Sequence, residues 1–306
     1  MNECIKLETI KDGVYHLIFD KPDSGANVFD RATLNDLNTH LDTVTNDSQA
    51  RGLVFTSAKP SIFIAGADIS ELLSEDITEN DLRGMIRLGQ KTFNRIAGLS
   101  VPTVAAIHGA CLGGGYELCL ACDYRIASDD HASRIGLPET SLGILPAWGG
   151  STRLPRTIGL PKALDAILGG KRMLAKRAKK FGLIDQIVPR EYFLRMALKK
   201  IETGKPSRPV LKHLNNGLVA RILVSRIRPQ LDQKTRGRYP AIIRALDIVS
   251  KGITQSMKAS LLLEEEATVE LVQTQACKNL VRVFFLQDRA KKLRVDTSQV
   301  PEKPFP

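Results

Sequence analysis

The first third of the chain alternates short apolar runs with turn residues, a pattern that predicts strands and a few helices. Residues 5–10 and 14–19 flank Lys11, Asp12 and Gly13 and read as a hairpin. Asp30 is placed to cap a helix whose Leu34, Leu37, Leu41 and Val44 fall on one face. A strand is expected at 52–57, a helix near 82–99 and a buried strand at 102–107. Beyond a run of three glycines, extended segments at 124–127 and 184–188 alternate with helices at 149–158, 162–168 and 175–181. Such alternation indicates an α/β fold. Residues 203–209, rich in Gly, Pro and Ser, mark a boundary. After it the pattern is helical, at 210–227, 240–249 and from about 256 to 292. Leu261, Leu262 and Leu263 followed by Glu264, Glu265 and Glu266 give a mixed face there.

Composition narrows the class. With 306 residues, 43% hydrophobic and 25% charged, the chain can bury a sizeable core. It has neither an apolar run long enough to span a bilayer nor the apolar core of a secretory leader, so a cytoplasmic protein is expected. Five cysteines do not make a disulfide framework. Cys119 and Cys122 lack a second ligand pair, so they read as small buried apolar residues and no metal site is expected. The net charge is +11, and beyond residue 201 Lys and Arg outnumber Asp and Glu by nearly two to one. Few aromatics accompany them, which argues against a nucleic-acid partner. Attraction of anionic substrates and plain solvated helix faces both fit.

The chemistry concentrates in two segments. Residues 106–119 read AIHGACLGGGYELC, with Glu117 one turn inside the helix that the glycines open. Residues 136–146 read GLPETSLGILP and bring Glu139 on a second loop. Bare helix-start amides beside two carboxyl groups suit proton chemistry next to a carbonyl that becomes an enolate. His108, just before the glycines, reads as a satisfied histidine at a strand end. No G-x-G-x-x-G loop, G-x-S-x-G elbow or metal-binding cluster accompanies them.

In this order and spacing the two segments, with residues 61–71 (SIFIAGADISE), resemble the enoyl-CoA hydratase/isomerase (crotonase) superfamily from about residue 5 to 190. The resemblance implies a crotonase-like spiral of ββα units over residues 1–203. It implies a helical region over 204–306, where TRGRYPA (235–241) and NLVRVFFLQDRAKK (279–292) resemble the linker of multifunctional fatty-acid oxidation α-subunits. The chain stops at VPEKPFP (300–306), where a Rossmann strand is expected soon after in those enzymes, so it looks like their hydratase portion.

By that resemblance Ala67 and Gly114 supply oxyanion-binding amides and Glu117 and Glu139 are catalytic. Glu139 exchanges the proton at Cα and Glu117 activates water. Ala65, Gly66, Asp68, Ile69, Gly113, Pro138 and Asp288 are carried over as substrate-binding positions, Asp68 chiefly as a fixture of the loop. The implied reaction is hydration of a trans-2-enoyl-CoA in β-oxidation, the alternatives being an enoyl-CoA isomerase or a non-catalytic assembly module. Two glutamates favour the hydratase, since relatives that only shift a double bond generally keep one. A coenzyme A thioester is the substrate, and no separate cofactor is expected. Dehydrogenase and thiolase components of an oxidation complex are the implied partners, and an oligomer is compatible with this picture. Leu137 stands where a Gln is frequent, and Ala147 and Trp148 replace a smaller pair. Trp148 is therefore expected to reshape the acyl pocket.

Overall fold

A computed structural model describes residues 4–72, 77–207 and 210–292. Successive strands enter two sheets in turn. The larger sheet contains β1 (Ile5–Lys11), β2 (Val14–Phe19), β3 (Gly52–Ser57), β5 (Thr103–Ile107), β7 (Tyr124–Ala127) and β10 (Gln186–Ile187), in that order. Only the β1–β2 hairpin is antiparallel. The smaller sheet orders β4 (Ile62–Ile64), β6 (Ala110–Leu112), β8 (Arg134–Gly136) and β9 (Arg172–Leu174). A strand in the large sheet, one in the small sheet and then a helix make one turn of a spiral, repeated three times. This is the crotonase fold.

The helices of the body are α1 (Arg31–Asn46), α2 (Ile69–Leu72), α3 (Glu79–Gly98), α4 (Gly114–Ala121), α5 (Gly150–Ile158), α6 (Leu160–Leu168), α7 (Ala175–Phe181) and α8 (Phe193–Glu202). Local chemistry sets their starts. Asp30 accepts the Thr33 N–H at 2.7 Å, and Thr78 accepts the Asp81 N–H at 3.1 Å. At the corner between β5 and β6, Gly109 has φ +81°, and a Cβ there would stand 2.1 Å from the Ser61 backbone. Only glycine fits.

Four further helices follow: α9 (Gly217–Thr235), α10 (Pro240–Gly252), α11 (Met257–Val272) and α12 (Gln275–Lys292). The sequence pattern placed the first of these at 210–227. It starts at 217 because the Asn216 side chain accepts the Val219 N–H, and it continues past Pro229 to residue 235. The stretch expected as one helix from 256 to 292 divides at Gln273 and Thr274, where the Thr274 hydroxyl accepts the Cys277 N–H and begins a new helix. The boundary segment 203–209 is described except at 208 and 209, and the 300–306 end lies outside the described residues.

Leu246 and Leu271, from the later helices, lie fully buried in the same apolar cluster as Phe93 and Leu118 of the body. Polar ties reinforce this. The Arg83 guanidinium on α3 contacts Glu265 at 3.0 Å and Glu266 at 2.8 Å, and Arg87 meets Glu265 at 2.7 Å. Arg156 donates to the Gly252 and Gln255 carbonyls and to the Ser260 hydroxyl. A second cluster lies between the other face of the large sheet and α8, around Val54, Val104 and Phe193. Among the described residues, no helix is long and apolar enough to cross a membrane.

Candidate active site

Helix α4 carries Glu117 and is buried along its whole length. Its C-terminal carbonyls, Cys119 O and Cys122 O, accept from the buried Arg125 guanidinium, which also pairs with Asp185 at 3.0 Å. A cation at that end satisfies otherwise orphaned acceptors and opposes the helix dipole. Tyr116 is anchored by its hydroxyl donating to Leu183 O at 2.8 Å. Cys119 and Cys122 are packed in this buried setting as free thiols. The helix that holds Glu117 is thus fixed along its side and at its end.

At its start, Gly113 has φ +54° and Gly66 has φ +125°. Gly114 is the first helical residue, so its N–H has no acceptor within the helix. The bridge between Phe29 and Ala67 uses the Phe29 N–H to Gly66 O and the Asp68 N–H to Phe29 O, leaving the Ala67 N–H outside the ladder. A Cβ on Gly114 would stand 3.4 Å from Ala67 N, and one on Gly66 would stand 3.7 Å from Gly114 N. The two amides therefore flank one small space that side chains at these glycines would fill.

That space belongs to a cavity of about 80 Å³, lined by Ala65, Gly66, Ala67, Ile69, Gly113, Gly114, Pro138 and both glutamates, Glu117 and Glu139. The two carboxyl groups differ in their surroundings. Glu117 Oε1 accepts the Trp148 N–H at 2.8 Å and the Gly150 N–H at 2.7 Å. Glu139 begins a 3-10 turn, Glu139–Leu142, and its two carboxyl oxygens are buried with no hydrogen-bond partner among the described residues. Burial pushes Glu117 up to about 7, against the pull of the Gly150 and Trp148 amides and the Arg153 guanidinium. Burial, followed by the charge of Glu117, holds Glu139 well above the usual carboxyl range. Donors favour the ionised form of Glu117 and nothing comparable favours that of Glu139. The site holds one group suited to be a base and one suited to be an acid.

The sequence pattern did not single out a third carboxyl. Glu264 on α11 is fully buried, and its Oε2 accepts the Gly149 N–H at 2.8 Å. Burial and then Glu117 push it up to about 8. A helical wheel drawn from Leu261 could have found it, since positions three, four and seven residues on are Glu264, Glu265 and Thr268, all buried. Charged residues on the stripe that faces the core are the signal.

Trp148 closes the cavity. Its ring packs edge-on against Phe29 and Phe93, with centroids 6.0 and 5.8 Å away. It occupies the room left by two glycines: a Cβ at Gly89 or Gly114 would lie 2.5 or 2.6 Å from the indole. Asp68 Oδ1 accepts the Ser70 N–H at 2.9 Å. His108 is held by Ser128 Oγ and Pro60 O. Asp288 lies half-buried on α12 and is not among the residues lining the cavity. A separate cleft of about 1080 Å³ is lined by Ser70 and, among others, by Lys278, Arg282 and Arg289 of α12. Among the described residues, no cluster of three or more His, Cys, Asp or Glu is arranged to hold a metal ion.

Residues 9–236 match the profile of the family described as Enoyl-CoA hydratase/isomerase. The fatty acid oxidation complex subunit alpha of Shewanella baltica (strain OS155) is 38% identical over 299 residues, covering 95% of this chain and 42% of that protein. The subunit of the same name from Vibrio cholerae (serotype O1, strain O395) is 39% identical over 310 residues, covering 98% and 44%. The chain thus spans less than half the length of these curated relatives. Among solved structures, an enoyl-CoA hydratase from Bacillus anthracis is similar, with a TM-score of 0.61 at 28% identity over 94% of this chain and 96% of that one. The human mitochondrial delta3-delta2-enoyl-CoA isomerase shares the fold, with a TM-score of 0.68 at 24% identity over 95% and 100%.

Proposed function

As the chain belongs to the enoyl-CoA hydratase/isomerase family, we propose that it adds water across the double bond of trans-2-enoyl-CoA thioesters, in the service of fatty-acid oxidation. The observation that carries this reading is the unequal pair of buried glutamates, one holding two N–H donors and the other none, facing one cavity. In this scheme the Glu117 carboxylate takes a proton from water as the water oxygen bonds to Cβ. The double-bond electrons move toward the thioester carbonyl, whose oxygen becomes negative between the Ala67 and Gly114 amides. Glu139, protonated, delivers its proton to Cα. Each oxyanion donor of this kind typically contributes about 3 kcal/mol to the transition state.

Helices α9–α12 form part of the same catalytic unit in this reading, and the basic cleft beside α12 takes the phosphates of coenzyme A. The relatives are named as subunits of a fatty acid oxidation complex, and the proposed partners are the dehydrogenase and thiolase components of such a complex that the sequence resemblance implies. Because exposed charges are screened beyond about 8 Å at physiological ionic strength, KM for the thioester should rise at least about threefold from low salt to roughly 0.5 M. A salt-independent KM in steady-state assays would remove Lys278, Arg282 and Arg289 from that role.

Trp148 sets the acyl length in this reading, favouring short chains. Trp148→Leu is expected to raise the ratio of kcat/KM for longer over four-carbon substrates by about tenfold, the scale of a methylene-sized change in an apolar pocket. A series of enoyl-CoA lengths checks this, and an unchanged ratio would place the acyl chain elsewhere.

The reaction itself is tested by the absorbance of the conjugated enoyl thioester. Loss of the band with crotonyl-CoA supports hydration. Gain of the band from a 3-enoyl-CoA, without loss from crotonyl-CoA, would identify an isomerase instead.

A further inference from the structure

Three consecutive amides, those of Trp148, Gly149 and Gly150, precede and open α5, and two carboxyl groups divide them. Glu117 takes the first and third at 2.8 and 2.7 Å, and Glu264 takes the middle one at 2.8 Å. Gly149 has φ +107°, and a Cβ on it would stand 1.7 Å from the Arg153 guanidinium, so the turn has one backbone geometry and one admissible residue. Arg153 is itself buried and donates to Trp148 O and to Asn94 Oδ1. A Cβ on Gly150 would lie 2.8 Å from Glu117 Oε1. The turn is clamped between the two carboxyls.

We propose that Glu264 is a positioning residue for the hydration step: by holding the Gly149 N–H it fixes the turn whose flanking amides orient Glu117. The proposal rests on the hydratase reading and extends it, because a residue of the C-terminal helical region then reaches the chemistry through the backbone. Alternating acceptors on successive amides leave the turn no room to rotate without orphaning a buried donor, and each orphan costs about 1–3 kcal/mol. If Glu264 were removed, the Gly149 N–H would lose its acceptor, and the two amides that Glu117 depends on would move with it.

Glu264 also places a titrating group close to the acid–base pair. The charged groups facing it are Glu117 from α4, Arg153 and Arg156 from α5, and Glu139 from the neighbouring turn. The charges that α3 and α10 direct toward α11 go elsewhere, Arg83 and Arg87 to Glu265 and Arg244 to Glu270. From α12, Cys277 packs against Gly143 instead. Ionised Glu264 repels a negative charge on Glu139 and so keeps the proton on that acid to higher pH. Its neutral replacement should release the Glu139 proton earlier.

The test measures hydration of crotonyl-CoA by the full chain and by Glu264→Ala, Glu264→Gln and Glu139→Gln. Glu264→Ala should lose at least tenfold in kcat with KM changed less than about twofold, since the thioester contacts are untouched. Glu264→Gln, whose amide oxygen can still accept the Gly149 N–H, should recover kcat to within about threefold near neutral pH. Its alkaline limb of kcat against pH should move to lower pH. A folded Glu264→Ala with wild-type kcat overturns the proposal. If the Ala variant does not fold, the Gln variant decides, and an unshifted pH profile overturns it. Wild-type hydration abolished by Glu139→Gln but indifferent to Glu264 would defeat this proposal alone. A wild-type chain that hydrates nothing would defeat the hydratase reading and this proposal with it.

Discussion

Replacing Glu139 by glutamine is expected to lower kcat for enoyl-CoA hydration by at least about 10²-fold while leaving KM nearly unchanged, the scale of losing a general acid. The amide fills the same volume under Pro138, but it has no proton to deliver to Cα. Glu117→Gln should cost a similar factor, because its amide cannot take a proton from water. The pH profile should bear the mark of both groups. Glu117 must be ionised, and with its carboxyl pushed up to about 7, activity should fall as pH drops below that value rather than below the usual carboxyl range. Glu139 must be protonated, and since burial raises it well above that range, activity should persist on the alkaline side until its proton leaves. Steady-state rates across pH check this. Near-wild-type hydration in either Gln variant would remove that glutamate from the mechanism.

A chain ended near residue 204 is expected to lose all measurable hydration, together with its solubility or its compact fold. The cut removes Leu246 and Leu271 from the core they share with Phe93 and Leu118, takes away the buried Leu261, and exposes the apolar faces of α3 and α5. It also removes the Leu261 carbonyl that accepts from Gln90, and the Glu264 carboxyl over the Gly149 amide. Fully burying one such leucine is worth about 1.5–3 kcal/mol, so losing several is comparable with the roughly 5–15 kcal/mol margin of a typical domain. Circular dichroism and turnover of residues 1–203 beside the full chain decide the matter. Full activity in the shortened chain would show the later helices to be a separate unit.

Legibility in the sequence followed the length and purity of each signal. The large sheet was readable because its strands are runs such as 52–57 and 103–107, apolar and bounded by turn residues. The small sheet was not. Its strands, β4, β6, β8 and β9, have three residues each, too few to show a period of two, and they lie inside segments dominated by glycine or charge. Helix caps at Asp30 and Thr78 set boundaries that side-chain chemistry could announce. The break between α11 and α12 was hidden, since Gln273 and Thr274 are unremarkable in a helix and only the Thr274 cap divides it.

Within the candidate site, Glu117, Glu139 and the glycine run stood out locally, whereas the Ala67 and Gly114 amides were assigned through the family resemblance. Glu264 was obscured for the opposite reason. It lies among three glutamates; the helical wheel sets aside Glu266, but Glu264 and Glu265 share the buried stripe, and only their partners, arginines of α3 for Glu265 and the Gly149 amide for Glu264, tell them apart. The role of Trp148 was half legible. The sequence placed a bulky residue beside the glycine turn, but that its ring uses the room left by Gly89 and Gly114 depends on how α3 and α4 pack.

The central claim is that Glu117 and Glu139 divide the addition of one water between Cβ and Cα. It is tested most directly by incubating the purified chain with crotonyl-CoA in ¹⁸O-labelled heavy water and analysing the product by mass spectrometry and NMR. The prediction is 3-hydroxybutyryl-CoA with one ¹⁸O at Cβ and one deuterium at Cα, with both labels lost in Glu139→Gln. Recovery of crotonyl-CoA with no labelled 3-hydroxy product, or of a 3-enoyl thioester carrying deuterium alone, would contradict the account.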